Sequence, residues 1–111
     1  MNQAPLFKVD VYQMDSLRIP FDEWLDSIKD KTTRLRILGY VRRMSGGNIG
    51  DCKSVHGGIM ETRIKFGPGY RIYFGRHGDS LIILLIGGDK SSQASDIEKA
   101  REYWKDWKER I

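Results

Sequence analysis

Arg63 and Lys65 stand two residues apart in one stretch of the chain, and Arg71 and Tyr73 repeat that spacing in the next. Alternation at period two places both members of each pair on one face of a strand. All four are therefore expected on the sheet face opposite a core layer of Met60, Ile64, Ile72 and Phe74. Arginine offers phosphate oxygens a planar fork, lysine a compact charge, and tyrosine a ring for stacking or a hydroxyl that can carry a proton. We assign chemistry to Arg71, Lys90, Arg63 and Tyr73, and substrate binding to Lys65, Lys53 and Arg76. Such a set suits attack of a ribose 2′-hydroxyl on the adjacent phosphate, which needs in-line positioning, charge stabilisation and proton transfers but no metal. The part that is missing is a general base. Glu61 and Lys65 read as solvent-facing alternates, His56 and His77 as surface residues in or beside turns, and no carboxylate or histidine falls obviously in the patch.

Other chemistries find no support. Gly87-Gly88-Asp89-Lys90 lacks the Gly-x-x-x-x-Gly-Lys-Ser/Thr spacing of a phosphate loop, which excludes nucleotide hydrolysis of that type. Paired carboxylates, a Ser-His-Asp set and metal-ligand clusters are absent in recognisable form, so no cofactor and no metal is expected. Cys52 is the single cysteine and reads as a small packing residue, with no disulfide partner. The charge is concentrated: residues 31–77 hold 10 Lys/Arg against 2 Asp/Glu, a local balance of +8 within a chain of net charge +4. A basic excess in one region suits a polyanion or an acidic protein partner. The longest apolar run, residues 81–86, is far short of the roughly 20 residues of a membrane span. Residues 1–16 lack a basic start followed by an apolar stretch, so no leader and a cytoplasmic protein are expected.

The elements that must position these side chains follow from periodicity. Phe7, Val9 and Val11 alternate with polar neighbours as a half-buried strand, and Phe21, Trp24, Leu25 and Ile28 recur at helical spacing behind Pro20. A second helix is predicted with the stripe Leu35, Leu38 and Val41, stopped by Gly46 and Gly47, and a short strand near Lys53. Residues 60–66 and 70–75 form two amphipathic strands around Gly67-Pro68-Gly69. A three-residue connection there predicts Lys65 opposite Arg71 and Arg63 opposite Tyr73. Gly78-Asp79 predicts a tight hairpin with His77 opposite Ser80, which carries Arg71 opposite Ile86 and brings Lys90 to the same sheet end. The last strand has no polar member and is expected inside the sheet. Ser95-Asp96-Ile97-Glu98 has capping-box form and predicts the start of a last helix with the stripe Ile97, Ala100, Trp104, Trp107 and Ile111. At 111 residues the chain is expected to be one α+β domain.

Two blocks carry a resemblance: Gly67-Pro68-Gly69-Tyr70-Arg71-Ile72-Tyr73-Phe74, and Leu84-Leu85-Ile86-Gly87-Gly88-Asp89-Lys90-Ser91-Ser92-Gln93. They resemble the addiction-module killer proteins, the HigB/RelE-like subgroup of the RelE/ParE toxin superfamily in type II toxin–antitoxin systems. The resemblance covers nearly the whole chain. It implies a β-α-α-β-β-β order with a C-terminal helix, and a mainly antiparallel sheet packed on a helical hairpin. It also implies a cognate antitoxin with a helix-turn-helix domain, promoter DNA bound only by the toxin–antitoxin complex, and no membrane partner. In ribosome-dependent members such a protein binds and cleaves messenger RNA on the ribosome. Arg71 then looks like the arginine of the Gly-Tyr-Arg block, Arg63 like a basic residue of the preceding strand, and Lys90 like the basic residue after the last strand, lysine standing where better-known nucleases have arginine. The tyrosine or histidine found near the C-terminus of some members has only Tyr103 as a weak counterpart. Three functions share this scaffold: a messenger RNA endoribonuclease that inhibits translation, a gyrase-poisoning toxin, and a non-enzymatic antitoxin-binding module acting in promoter autoregulation.

Overall fold

Alternating apolar residues form β1 (Lys8–Val11), and Pro20, whose missing N–H costs nothing in a first helical turn, opens α1 (Pro20–Ser27) with Asp22 and Glu23 behind it. The Asp30 carboxylate accepts from the Thr33 amide to cap α2 (Lys31–Ser45), which ends at Gly46. Four strands follow: β2 (Asp51–Ser54), β3 (Ile59–Arg63), β4 (Arg71–His77) and β5 (Leu81–Gly88). A 3-10 turn then leads into α3 (Gln93–Arg110). The computed structural model describes residues 6–111; residues 1–5, part of the stretch read for a leader, lie outside the described residues. Among the described residues no helix is long and apolar enough to cross a membrane.

The strands form one sheet in the order β1-β5-β4-β3-β2, with β1 parallel to β5 and every other pair antiparallel. The expected α+β domain is present, with β2 as a short extra strand at the sheet edge and β5 inside the sheet as its unbroken apolar run requires. Helices cover both faces. Phe21, Leu25, Ile37 and Met44 of α1 and α2 pack on Ile72, Phe74, Ile82 and Leu84, while Ala100 and Trp104 of α3 pack on Ile59, Tyr73, Ile83 and Leu85. Burying both faces gives the sheet two cores and leaves α3, not solvent, over the middle of the face that carries Arg63 and Arg71.

Several sequence expectations are corrected. On α2 the inward residues are Ile37, Tyr40, Val41 and Met44, themselves spaced i, i+3, i+4 and i+7, whereas Leu35 is 58% and Leu38 40% exposed. α3 starts at Gln93 behind a 3-10 turn capped by Asp89, so Ser95 lies inside the helix and caps nothing, and Ile111 is exposed. In the β3–β4 ladder Arg63 faces Arg71 and Glu61 faces Tyr73, a shift of two residues from the expected register. Residues 64–70 make a wide connection, with Gly67 and Gly69 at φ +70° and +78°, where a three-residue turn was expected. A shift of two preserves the face of every side chain and changes only its partner. In the β4–β5 ladder His77 faces Leu81, because Gly78 at φ +63° supports a three-residue loop, and a bulge beside Tyr73/Phe74 adds a second step. Arg71 therefore faces Gly88 and not Ile86.

Candidate functional site

Two rows of side chains cross the sheet on the α3 face. Lys53, Glu61, Tyr73 and Ile86 are successive cross-strand partners in one row, and Asp51, Arg63, Arg71 and Gly88 in the next. The odd parity shared by residues 51, 53, 61, 63, 71 and 73 produces both rows, since cross-strand partners lie on the same face. At their meeting point Glu61 is 0% exposed. Its Oε2 accepts a hydrogen bond of 2.8 Å from Gln93 Nε2, the first residue of α3, and lies 3.5 Å from Arg71 Nε. Its Oε1 lies 3.8 Å from Arg63 Nε and 3.9 Å from Lys53 Nζ. One buried carboxylate thus sits among three cations, two of them, Arg63 and Lys53, with about half their side chains in solvent.

The hydrogen bonding of this cluster is incomplete. Glu61 Oε1, Arg71 Nε and Tyr73 Oη are buried and have no hydrogen-bond partner, although buried polar atoms in folded proteins nearly always do. At 3.5 Å and an effective dielectric near 20 the Glu61–Arg71 attraction is on the order of 5 kcal/mol. Removing each ion from water costs several kcal/mol, so the pair adds little to stability. Around such a pair these atoms hold hydrogen-bonding capacity that the surrounding side chains leave unused. Arg71 is steadied by its own Nη1, which donates to the Gly69 carbonyl at 3.2 Å. A methyl group added at Gly69 would stand 3.3 Å from Lys90 Cβ and 3.8 Å from Arg71 Nη1, so the glycine turn, Arg71 and Lys90 meet at one point.

The structure therefore brings Arg71, Arg63, Lys53 and Lys90 to one end of the α3 face, and separates the rest of the expected set. Tyr73 belongs to the second core with Trp104, and its hydroxyl is held far above the ordinary tyrosine range, first by burial and then by the negative charge of Glu61. It is not a surface group able to stack on a base. Arg76 has even parity, and its guanidinium lies 4.9 Å from the Phe7 ring centre on the opposite face. Lys65 is exposed in the connection between β3 and β4, outside the ladder. His56 and His77 are exposed, His77 edge-on to Trp107 at 5.2 Å. Tyr103 stacks on Tyr12 at 5.0 Å and is not among the groups around Glu61. Sequence reasoning missed Glu61 and Gln93. Glu61 has the parity of Arg63 and Lys65, so its face was legible; its burial came from α3 crossing that face. No signal of that kind marked Gln93, because the helix was expected to begin two residues later.

The fold and this cluster define a small α+β domain with a cation-ringed buried carboxylate at one sheet end. No family model matches the chain. It is 45% identical over 83 residues to an uncharacterised protein of Haemophilus influenzae, an alignment that spans 75% of this chain and 84% of that protein. The chain belongs to the family of that protein.

Proposed function

We propose that this protein is the toxin of a type II toxin–antitoxin pair, of the RelE/ParE kind, acting in the cytoplasm as a ribosome-dependent messenger RNA endoribonuclease. The observation that carries the reading is the buried Glu61–Arg71 pair, short of hydrogen bonds, beneath the exposed cations Arg63, Lys53 and Lys90. The motif resemblance and the order of elements support the same assignment. An incoming phosphate competes with Glu61 for Arg63 and Lys53, and as those side chains swing to it they uncover the carboxylate. Glu61 then takes the proton of the ribose 2′-hydroxyl as its oxygen bonds to phosphorus, and Arg71 with Arg63 stabilises the charge that accumulates on the phosphoryl oxygens. The bond from phosphorus to the 5′ oxygen breaks, the Lys90 ammonium donating the proton that the leaving oxygen needs. The products are a 2′,3′-cyclic phosphate and a 5′-hydroxyl. Antitoxin segments of acidic character would cover the same cations.

Primer extension on a defined messenger RNA in a cell-free translation reaction tests the proposal, with a ribosome-free control. New ends are expected only when ribosomes are present, and Arg71→Ala is expected to lower their yield by about 100-fold or more, the scale of a lost transition-state donor. Intact RNA at a protein dose that stops growth in cells contradicts the nuclease.

A further inference from the structure

A cleft of about 680 Å³ opens beside the C-terminal end of β5. It lies where β1 stops, since β1 pairs only with residues 81–84 while β5 runs on to Gly88. Trp24, Tyr70 and Tyr103 line it, together with the carboxylates of Asp89 and Asp96. Two glycines let its walls close on β5 from the two faces of the sheet: a methyl group at Gly87 would strike the Trp24 ring and one at Gly88 would strike Asp96 Oδ2. Asp96 is 5% exposed and its Oδ2 accepts from the Ser92 hydroxyl at 2.5 Å, while Oδ1 has no donor among the described residues. Asp89 Oδ1 accepts from the Ser91 amide at 2.8 Å. Three cations share the lining: Arg18 is taken up by Glu23 through bonds of 2.8 and 2.7 Å, Lys99 stands near enough to Asp96 to favour its charged form, and Lys29 precedes Asp30. Aromatic rings with hydrogen-bond acceptors beside them suit a flat ring that carries N–H donors.

The cleft touches the neighbouring site. Gly88 lines it and faces Arg71 across the ladder, and Pro68 and Tyr70, which line it too, flank the Gly69 that meets Arg71 and Lys90. We propose that it is a nucleobase pocket: a base adjoining the phosphate held by Arg71 enters it, stacks on the aromatic wall and presents an exocyclic amino group to Asp96 and Asp89. The choice of ligand rests on the ribonuclease reading of the neighbouring site. Adenine, guanine and cytosine carry such an amino group and uracil does not, so the pocket discriminates against uracil.

The test titrates the full chain with AMP, GMP, CMP, UMP and inorganic phosphate, following the Trp24 indole N–H and the Gly87 and Gly88 amides by NMR. The amino-bearing nucleotides are expected to move these signals and to bind about tenfold tighter than UMP, the worth of a hydrogen bond to a charged acceptor. Asp96→Asn should bring that ratio toward one, because a carboxamide offers a donor to a uracil carbonyl as readily as an acceptor to an amino group. Asp89→Asn serves the same purpose if the first variant does not fold. Equal binding of all four nucleotides, the same shifts from inorganic phosphate alone, or a ratio unchanged in a folded variant overturns the pocket. Selective binding by a protein that cuts no RNA supports the pocket and contradicts the nuclease; RNA cleavage without selective binding does the reverse.

Discussion

Glu61 and Tyr73 face each other across the β3–β4 ladder and are both fully buried, yet different things cover them. Around Glu61 lie Gln93 of α3 and the half-exposed side chains of Arg63 and Lys53, whereas Tyr73 is packed in the second core with Trp104 of α3. On the proposed nuclease reading, that difference gives proton transfer to the carboxylate and a packing role to the phenol. Tyr73→Phe removes a buried hydroxyl without a partner, so stability at neutral pH is expected to stay level or to rise by up to about 1 kcal/mol in urea melts. The sign at alkaline pH follows from the raised folded-state value: the phenol's contribution is intact below the unfolded value near 10 and is lost as pH climbs through the folded one. The phenylalanine variant should therefore lose less stability than the parent above about pH 10. Its RNA cleavage should stay within a few-fold of the parent, and a loss comparable to that of Arg71→Ala would return Tyr73 to the reacting groups.

Glycine has opposite meanings on two elements. Gly39 in α2 has nothing within 4 Å of an added methyl, so Gly39→Ala should stabilise the protein by about 1 kcal/mol through helix propensity alone. Gly87 at the end of β5 lies against the Trp24 ring, and Gly87→Ala should destabilise by about 1–3 kcal/mol through overpacking. Thermal melts of the two variants check the pair, and a shift of the same sign in both would contradict the packing described. Most elements were legible because their periodicity is local: the Phe21, Trp24, Leu25 stripe, the alternation in β3 and β4, and the apolar run of β5. Register was not. The wide connection at residues 64–70 and the bulge beside Tyr73/Phe74 are choices among loops of similar sequence cost; the first moved partners by two residues and kept faces, whereas the one-residue step in the β4–β5 ladder put Leu84, not Ile83, beside Phe74. On α2, where two apolar stripes overlap, sequence alone favoured Leu35 and Leu38, but contact with the sheet selected Ile37 and Met44. The cations of the site were readable from type and parity. Their carboxylate was not, because its burial depends on a helix more than 30 residues later, through Gln93 at a sequence separation of 32.

Across the whole molecule the basic excess of residues 31–77 divides between two sides. Lys31, Arg34, Arg36, Arg42 and Arg43 belong to α2, with Arg36 stacked over Phe66 at 3.9 Å and Arg43 over Tyr40 at 4.6 Å. Arg76 shares their side of the sheet and Lys65 stands in the β3–β4 connection, while Lys53, Arg63 and Arg71 lie on the α3 side, joined there by Lys90 from beyond that segment. If those four cations hold RNA phosphates, the logarithm of affinity for a single-stranded oligonucleotide should fall with the logarithm of salt at a slope of about −3. Arg63→Ala should flatten that slope by about 0.7, and Arg42→Ala should leave it unchanged. Equal effects from both would place RNA on the wrong side of the sheet. The most direct test of the account is the single-turnover cleavage rate of ribosome-bound messenger RNA by Glu61→Gln, which keeps the shape of the side chain and its contact with Gln93 but cannot take a proton. With circular dichroism and melting showing the variant folded, the rate should drop by about 100-fold or more, as for a lost general base. A folded variant that cuts at the parent's rate would contradict the role given to Glu61.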